Sequence, residues 1–149
     1  MKKILSMMLC ICLLLGVASA EEKAVGDDAF LLRIWNESGL EITYLHFDFY
    51  NGETLACTTA SCPNEGEDYY RAEYSAAPEE LKNLRIQCAY GVSGLEPEEA
   101  LLEFMKGNPA EEHPVQVPEL TPENGKVYDL ELVKDGEGGL ALQPVETVG

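Results

Sequence analysis

The stretch from Phe30 to Leu55 constrains the fold more than any other part of the chain. Two runs rich in aromatic and β-branched residues, 30–35 and 40–50, are separated by the turn sequence 36–39. Such residues pack well on a pleated, half-buried surface, so both runs are predicted to be strands. The pair Asn51-Gly52 then gives a strong signal for a two-residue hairpin loop. This stretch therefore predicts a mainly β protein.

The second run also changes the face on which its apolar residues fall. They stand first at even and then at odd positions: Leu40, Ile42 and Tyr44, then Leu45, Phe47 and Phe49. A period of two that slips by one residue predicts a β-bulge near Tyr44 and Leu45.

Further alternating runs and turn signals predict seven or eight short strands in total. One helix is predicted at about 97–106, because Pro97 suits a first helical turn and Gly107 a C-terminal stop. Its leucines and Met105 are expected to face the sheet. The pattern is typical of an antiparallel immunoglobulin-like β-sandwich with one short inserted helix. Its predicted core residues are Leu32, Ile34, Trp35, Ile42, Phe47, Phe49, Tyr74, Leu84, Ile86, Tyr90, Tyr128, Leu130 and Leu132.

The amino terminus predicts export. Two lysines precede an apolar run that ends in Ala18-Ser19-Ala20, a pattern accepted by signal peptidase, and the run is too short for a permanent anchor. We expect a cleaved signal peptide at 1–20, a flexible leader at 21–29, one sandwich domain at 30–144 and a tail at 145–149. The protein is therefore expected to be extracellular or in the cell envelope, without a membrane span after cleavage.

The charge of the chain is strongly negative. It carries 27 acidic and 10 basic residues, for a net charge of −17. Two of the basic residues, Lys2 and Lys3, would leave with the signal peptide, so the mature charge would be 8 − 27 = −19. A charge of this sign repels phosphate backbones, so nucleic acid is excluded as a partner. Its simplest role is solubility.

Three cysteines would survive signal cleavage: Cys57, Cys62 and Cys88. An odd count leaves one thiol over in an oxidising compartment. The short spacing favours a Cys57–Cys62 disulfide in a loop, with Cys88 free on the apolar face of its strand. A bridge to Cys88, or three free thiols, stays open.

Candidate catalytic and metal-binding residues are few. His46 and Asp48 share one strand face and could form a general base, but no nucleophile motif accompanies them. The cysteines with His46 or His113 lack the paired spacing of a zinc site, and the acidic loop 64–68 lacks the alternating pattern of a calcium loop. We therefore predict no catalytic residue, metal or cofactor.

Two segments resemble those of a known group of proteins. The sequence from Arg33 to Leu45 resembles the opening hairpin of small secreted bacterial β-sandwich proteins, immunoglobulin-like and without an assigned activity, and 125–130 is similar to their closing strand. The resemblance implies a sandwich fold and secretion, and it transfers no site residues.

Three functions follow as hypotheses. The preferred one is a non-enzymatic secreted or envelope-associated domain that presents loops to a protein or glycan partner. The first alternative is a metal-dependent or hydrolytic enzyme that uses His46 and Asp48. The second is a secreted protease inhibitor that inserts the Cys57–Cys62 loop into a protease cleft.

Overall fold

The computed structural model describes residues 27–145, so the predicted signal peptide, most of the leader and tail residues 146–149 lie outside it. No helix within 27–145 is long and apolar enough to cross a membrane. Half-buried alternating segments form the strands, and prolines open both helices. In chain order the elements are β1 (Ala29–Asn36), β2 (Tyr44–Asn51), β3 (Thr54–Ser61), β4 (Tyr69–Ser75), α1 (Pro78–Leu81), β5 (Leu84–Val92), α2 (Pro97–Met105), β6 (Glu111–Gln116), β7 (Val127–Lys134) and β8 (Leu140–Pro144).

The strands form one sheet instead of the two sheets of the predicted antiparallel immunoglobulin-like sandwich. Their order is β3-β2-β5-β6-β8-β7-β1-β4. The sheet is mixed, because β1 pairs in parallel with β7 and β6 in parallel with β8. Its two edge strands approach each other, and the backbone N–H of Arg71 in β4 donates to Ser61 Oγ in β3 at 3.1 Å. The sheet is thus curled into a nearly closed barrel.

The sandwich prediction failed at the level of strand pairing. A curled sheet and a sandwich need the same short, half-buried strands and turns, so their sequences alternate in the same way. The two folds differ in which strands become neighbours, and residues of β1 pair with residues of β7 that lie 96 positions later in the chain. The mainly β class and the helix near 97–106 are confirmed.

The hydrophobic core lies inside the curl and is centred on Phe30, which makes edge-on contacts with Phe49 and Tyr74. Seven predicted core residues are buried: Leu32, Ile34, Phe47, Phe49, Tyr74, Leu130 and Leu132. Five more are partly buried and pack against them: Ile42, Leu84, Ile86, Tyr90 and Tyr128. Trp35 was wrongly predicted as core. It lies on the outer face of β1, half-buried against Tyr69.

The predicted hairpin forms, but its loop is displaced by one residue. Asn51 pairs with Thr54, so the loop consists of Gly52 and Glu53. Gly52 has a φ of 64° and stands at the first central position, where a type II′ turn requires glycine.

The predicted bulge near Tyr44 and Leu45 was wrong, because a strand buried on both faces gives the same pattern as a slip in register. Leu45 faces the core, whereas Tyr44 faces outward and is buried beneath α2. The irregularity in this strand lies instead between Phe49 and Tyr50, where the register with β3 shifts.

The cysteines do not form the predicted Cys57–Cys62 bridge, since Cys62 and Cys88 are free thiols. Cys57 lies within β3 and Cys62 follows its last residue. Five residues of extended strand span roughly 16 Å, whereas a disulfide requires Cα atoms within about 7 Å. The closed loop on which the inhibitor hypothesis depended is therefore not formed. Cys88 is buried, as expected, and burial raises the pKa of its thiol.

Candidate functional site

The sheet is split beside β5. This strand pairs with β2 from Leu84 to Gly91, but it pairs with β6 only from Cys88 to Val92. Val115 pairs with both β5 and β8, and Gln116 pairs only with β8. The segment Leu84–Gln87, here called the β5 edge, therefore has no strand partner on that side among residues 27–145.

Two adjoining cavities follow the split and together form what we call the groove. The larger is an open pocket of about 590 Å³, and the smaller, of about 220 Å³, continues along the β5 edge. Ile86 and Val117 line both. Residues from both faces of the sheet line the larger pocket, because the sheet is open at this point: His46, Asp48, Ile86, Gln87, Cys88, Ala89, Glu112, His113, Pro114, Val115 and Val117.

A charged network forms one wall of the groove. His46 Nδ1 lies 2.9 Å from Glu112 Oε1, and His46 Nε2 lies 3.0 Å from Asp48 Oδ1. Each carboxylate has a second donor, since Tyr44 Oη donates to Glu112 Oε2 at 2.7 Å and Thr58 Oγ1 to Asp48 Oδ1 at 2.7 Å. We call these five residues the His46 network.

The fold dictates this arrangement. Tyr44, His46 and Asp48 are alternate residues of β2, so they share its outer face. Glu112 reaches them from β6, across β5, and stands opposite Gly91 of β5 in the register. The absence of a side chain at Gly91 leaves room for the Tyr44 ring, because a Cβ there would lie 2.5 Å from Tyr44 Cζ. Residue Phe104 of α2 covers the network and meets the His46 ring edge-on at 4.9 Å.

The electrostatics favour a doubly protonated imidazole. Burial alone would lower the pKa of His46, but hydrogen bonds and charges from Asp48 and Glu112 outweigh it and raise the pKa to about 9. Burial would likewise raise the pKa values of the two carboxyls, but hydrogen bonds from His46 and from Thr58 or Tyr44 hold both below their usual range. The three groups therefore carry charges of +1, −1 and −1 at neutral pH.

This charge state limits what the network can do. An imidazolium has no lone pair, and both of its N–H groups are engaged by carboxylates. A general base needs a free ring nitrogen within reach of a substrate proton. The geometry instead matches a structural cross-link between β2 and β6.

Metal ligation has little support in the described part of the chain. No group of three or more His, Cys, Asp or Glu residues within 27–145 is placed to hold a metal ion. In the acidic loop, Glu67 is engaged by its neighbours: Asn64 Nδ2 donates to it at 2.7 Å, Tyr69 Oη at 2.6 Å and Arg71 Nη1 at 3.3 Å.

A second polar cluster, the Arg33 patch, lies on the outer face of β7, β1 and β4. Arg33 makes two hydrogen bonds to Asp129, at 2.7 and 3.0 Å, which raise its pKa. Its guanidinium lies 5.5 Å from the Trp35 ring centroid and 5.6 Å from that of Tyr69. These four residues define the patch. Arg33 itself packs against both aromatic rings.

The structure brings together His46 and Asp48, as the shared strand face predicted. Sequence reasoning missed Glu112, which lies 66 residues from His46, because no local pattern links the two. It also missed the groove, since that depends on where β6 leaves β5. His113 lies against Tyr90 on the other side of β6 and does not join the network.

Comparisons with known proteins add only weak structural similarity. No protein-family model and no curated protein matches the chain. Among solved structures, the chain is similar to a "putative cell adhesion protein" from Bacteroides fragilis, at 9% sequence identity and a TM-score of 0.36. The match covers 83% of this chain and 48% of the other, so the chain spans about half of that protein's length. A similarity at this level carries no argument about fold or function.

Proposed function

We propose that the protein is a non-enzymatic binding domain, secreted or held at the cell envelope, that engages an extracellular protein or glycan partner through the groove. One observation carries the proposal. The larger cavity of the groove is open and lined by apolar and polar groups, while the histidine in its wall is committed to two carboxylates. Pockets of this volume are typical of ligand sites.

The enzyme hypothesis based on His46 and Asp48 is the alternative to this proposal. It requires a free imidazole nitrogen facing a substrate or a water molecule, and covalent catalysis would also require a nucleophile beside it. A pKa of about 9 and two carboxylate partners oppose the first requirement. Cys88 is the one thiol that lines the pocket, and burial raises its pKa, which opposes its use as a nucleophile.

A pull-down with matched variants tests the proposal. The purified domain, residues 27–145 with the flanking mature sequence, is immobilised and exposed to culture medium and to solubilised cell-wall material. Val117→Arg places a long charged side chain where the two cavities join, and Leu102→Arg places the same group on an exposed position of α2. We expect a partner that the wild type and Leu102→Arg retain and that Val117→Arg loses.

The opposite results would count against it. A partner retained equally by both variants would place binding elsewhere on the surface. Hydrolysis of a broad panel of ester, peptide and glycoside substrates that is lost in His46→Gln but kept in Val117→Arg would favour the enzyme. Edman sequencing of the exported protein tests secretion separately, with Glu21 expected as its first residue.

A further inference from the structure

We propose that the groove takes an extended, lysine- or arginine-containing segment of a partner protein, which pairs with the β5 edge as an additional strand. This inference rests on the binding role proposed above and specifies the partner's chemistry. It depends on three features of the groove: an unpaired strand edge, walls that differ in polarity, and an unused carboxylate oxygen.

The strand edge provides the main-chain recognition. On its other side the β5 edge pairs with β2, from Asn51 to Asp48, so its backbone is already extended and held in a sheet. Successive residues of a strand direct their N–H and C=O groups to alternate sides, which leaves half of those in Leu84–Gln87 facing the split. Four residues span roughly 13 Å, enough for three or four residues of an added strand.

The walls of the groove suit alternating side chains. One side presents the apolar residues Ile86, Val117 and Leu120, which pack against the core. The other side presents Asp48 and the exposed Gln87 in the larger cavity and Arg85 in the smaller one. An added strand directs successive side chains to opposite faces, so apolar residues would meet the first wall and polar residues the second.

Asp48 provides the charge selectivity. Its Oδ1 accepts both hydrogen bonds of this carboxylate, from His46 and Thr58, whereas Oδ2 receives none from the described residues. The carboxyl is held ionised, because its pKa lies below the usual range. The His46 network carries a net charge of −1 and the whole chain carries −17, so a cationic side chain is favoured beside Asp48 and at long range. The smaller cavity differs, because it contains Arg85, whose guanidinium lies 4.4 Å from the Tyr50 ring centroid.

A polypeptide fits these features better than a glycan. Sugar rings are commonly held on exposed aromatic faces, and no Trp, Tyr or Phe lines either cavity of the groove. A row of backbone donors and acceptors at strand spacing is complementary to another peptide backbone. The aromatic rings of the Arg33 patch belong to β1 and β4 and do not line the groove.

Synthetic peptides test this inference directly. The probe is an acetylated, amidated octapeptide of alternating valine and lysine, measured by isothermal titration calorimetry against the wild-type domain at 150 mM salt. Two comparison probes replace every lysine with glutamate or carry N-methyl groups on the four central amides. We expect saturable binding of the first probe and at least about tenfold weaker binding of both others.

Protein variants then locate the contact. Asp48→Asn is expected to weaken binding of the valine–lysine probe about fivefold, and Gln87→Glu is expected to strengthen it. Glu137→Gln is the control: it removes one negative charge from an exposed loop, as Asp48→Asn does from the groove, and should leave binding unaltered. Because Asp48→Asn also disturbs the His46 network, Gln87→Glu and Gln87→Lys keep the test independent of folding. The lysine variant should weaken binding.

Three results would overturn the inference. If the N-methylated probe still binds, the binding does not depend on strand pairing and reflects general charge attraction. The same conclusion follows if Glu137→Gln and Asp48→Asn change the affinity equally. Failure of the valine–lysine probe to bind, while Val117→Arg still abolishes partner capture, would refute strand addition and leave the proposed binding function standing. If partner capture is insensitive to Val117→Arg, the proposed function itself fails at this site.

Discussion

The outer face of β2 carries its charged groups beneath a helix, whereas the outer face of β1 leaves its charged groups open. In the His46 network the three charged side chains are between 18% and 23% exposed. In the Arg33 patch the ion pair of Arg33 and Asp129 is 32% and 38% exposed. Both clusters join strands of the sheet through hydrogen-bonded charges, across β5 in the His46 network and between the paired strands β1 and β7 in the Arg33 patch. They also differ in access to water.

That difference determines how much each cluster stabilises the fold. Partly buried charges interact in a lower effective dielectric, and removing one partner leaves another that is poorly hydrated. Exposed pairs are screened and contribute about 0–1 kcal/mol. The loss of one charged partner from the His46 network, beneath the covering helix, should therefore cost more than the same loss from the Arg33 patch.

Removing the cover is expected to have the largest effect. Phe104→Ala deletes a side chain that is 5% exposed and contacts the rings of Tyr44 and His46. Large-to-small changes of this kind cost about 3–5 kcal/mol. Urea unfolding should show this loss of stability. An NMR titration should show a fall in the pKa of His46, because water weakens its attraction to the two carboxylates.

The control lies on the same helix. Leu102 is 56% exposed, so Leu102→Ala should change the unfolding free energy by no more than about 0.5 kcal/mol. Equal losses in the two variants would mean that α2 does not shield the network.

The pH dependence of stability should be the next largest effect. The pKa of His46 in the folded state, about 9, lies above its ordinary value of 6.5. Its contribution is therefore fully present below pH 6.5 and is lost as the pH rises through about 9, a change of about 3 kcal/mol. The lowered pKa values of Asp48 and Glu112 act at the acid end, where stability is lost as the pH falls below their ordinary values of 3.8 and 4.5.

Unfolding measured from pH 5 to pH 10 in the wild type and in His46→Gln tests this dependence. The difference between the two should shrink as the pH rises above 6.5. The chain has two histidines, so a His113→Gln variant assigns the imidazole signals in an NMR titration. A titration of His46 near pH 6.5 would contradict the proposed charge state.

The close approach of Tyr44 to the backbone of β5 gives a third, smaller effect. A Cβ at Gly91 would lie within 2.5–2.8 Å of three atoms of the Tyr44 ring, which is held beneath α2. Gly91→Ala should therefore force the ring to move and cost about 1–3 kcal/mol, as measured by thermal unfolding. Gly94→Ala is the matched control, because its Cβ would meet nothing within 4 Å. A similar loss in both variants would refute the steric explanation.

Sequence reasoning predicted the parts of this fold that depend on local patterns. Alternation and turn residues located the strands, and Pro97 located α2. The buried face of that helix was predicted only in part. Leu101 and Met105 pack against the Tyr44 cluster as predicted, but Leu102 is exposed, and the fully buried residues are Ala100 and Phe104. The nine residues of α2 carry apolar side chains on several sides, so their sequence does not define one buried face. Packing against Tyr44 determines which side is buried.

The candidate site was less predictable, for the same physical reason. His46 and Asp48 were found together because a strand directs alternate residues to one face. Glu112 and the β5 edge are set by strand pairings between distant segments, which no short stretch of sequence encodes. The same limit produced the sandwich prediction, since parallel pairing of β1 with β7 leaves no local signal.

The smallest expected effect is at the Arg33 patch, and its measurement tests the comparison at the more exposed of the two clusters. Asp129→Asn removes the charge that pairs with Arg33 but keeps a similar shape, and it should lower the unfolding free energy by about 0.5–1 kcal/mol. A double-mutant cycle with Arg33→Lys measures the coupling, and 0.5 M salt should reduce it because exposed charges are screened. A coupling above about 2 kcal/mol that salt does not change would show that an open sheet face can hold charges as tightly as one beneath a helix. Access to water would then not determine how strongly such charges are coupled, and the orientation of the paired groups would have to determine it.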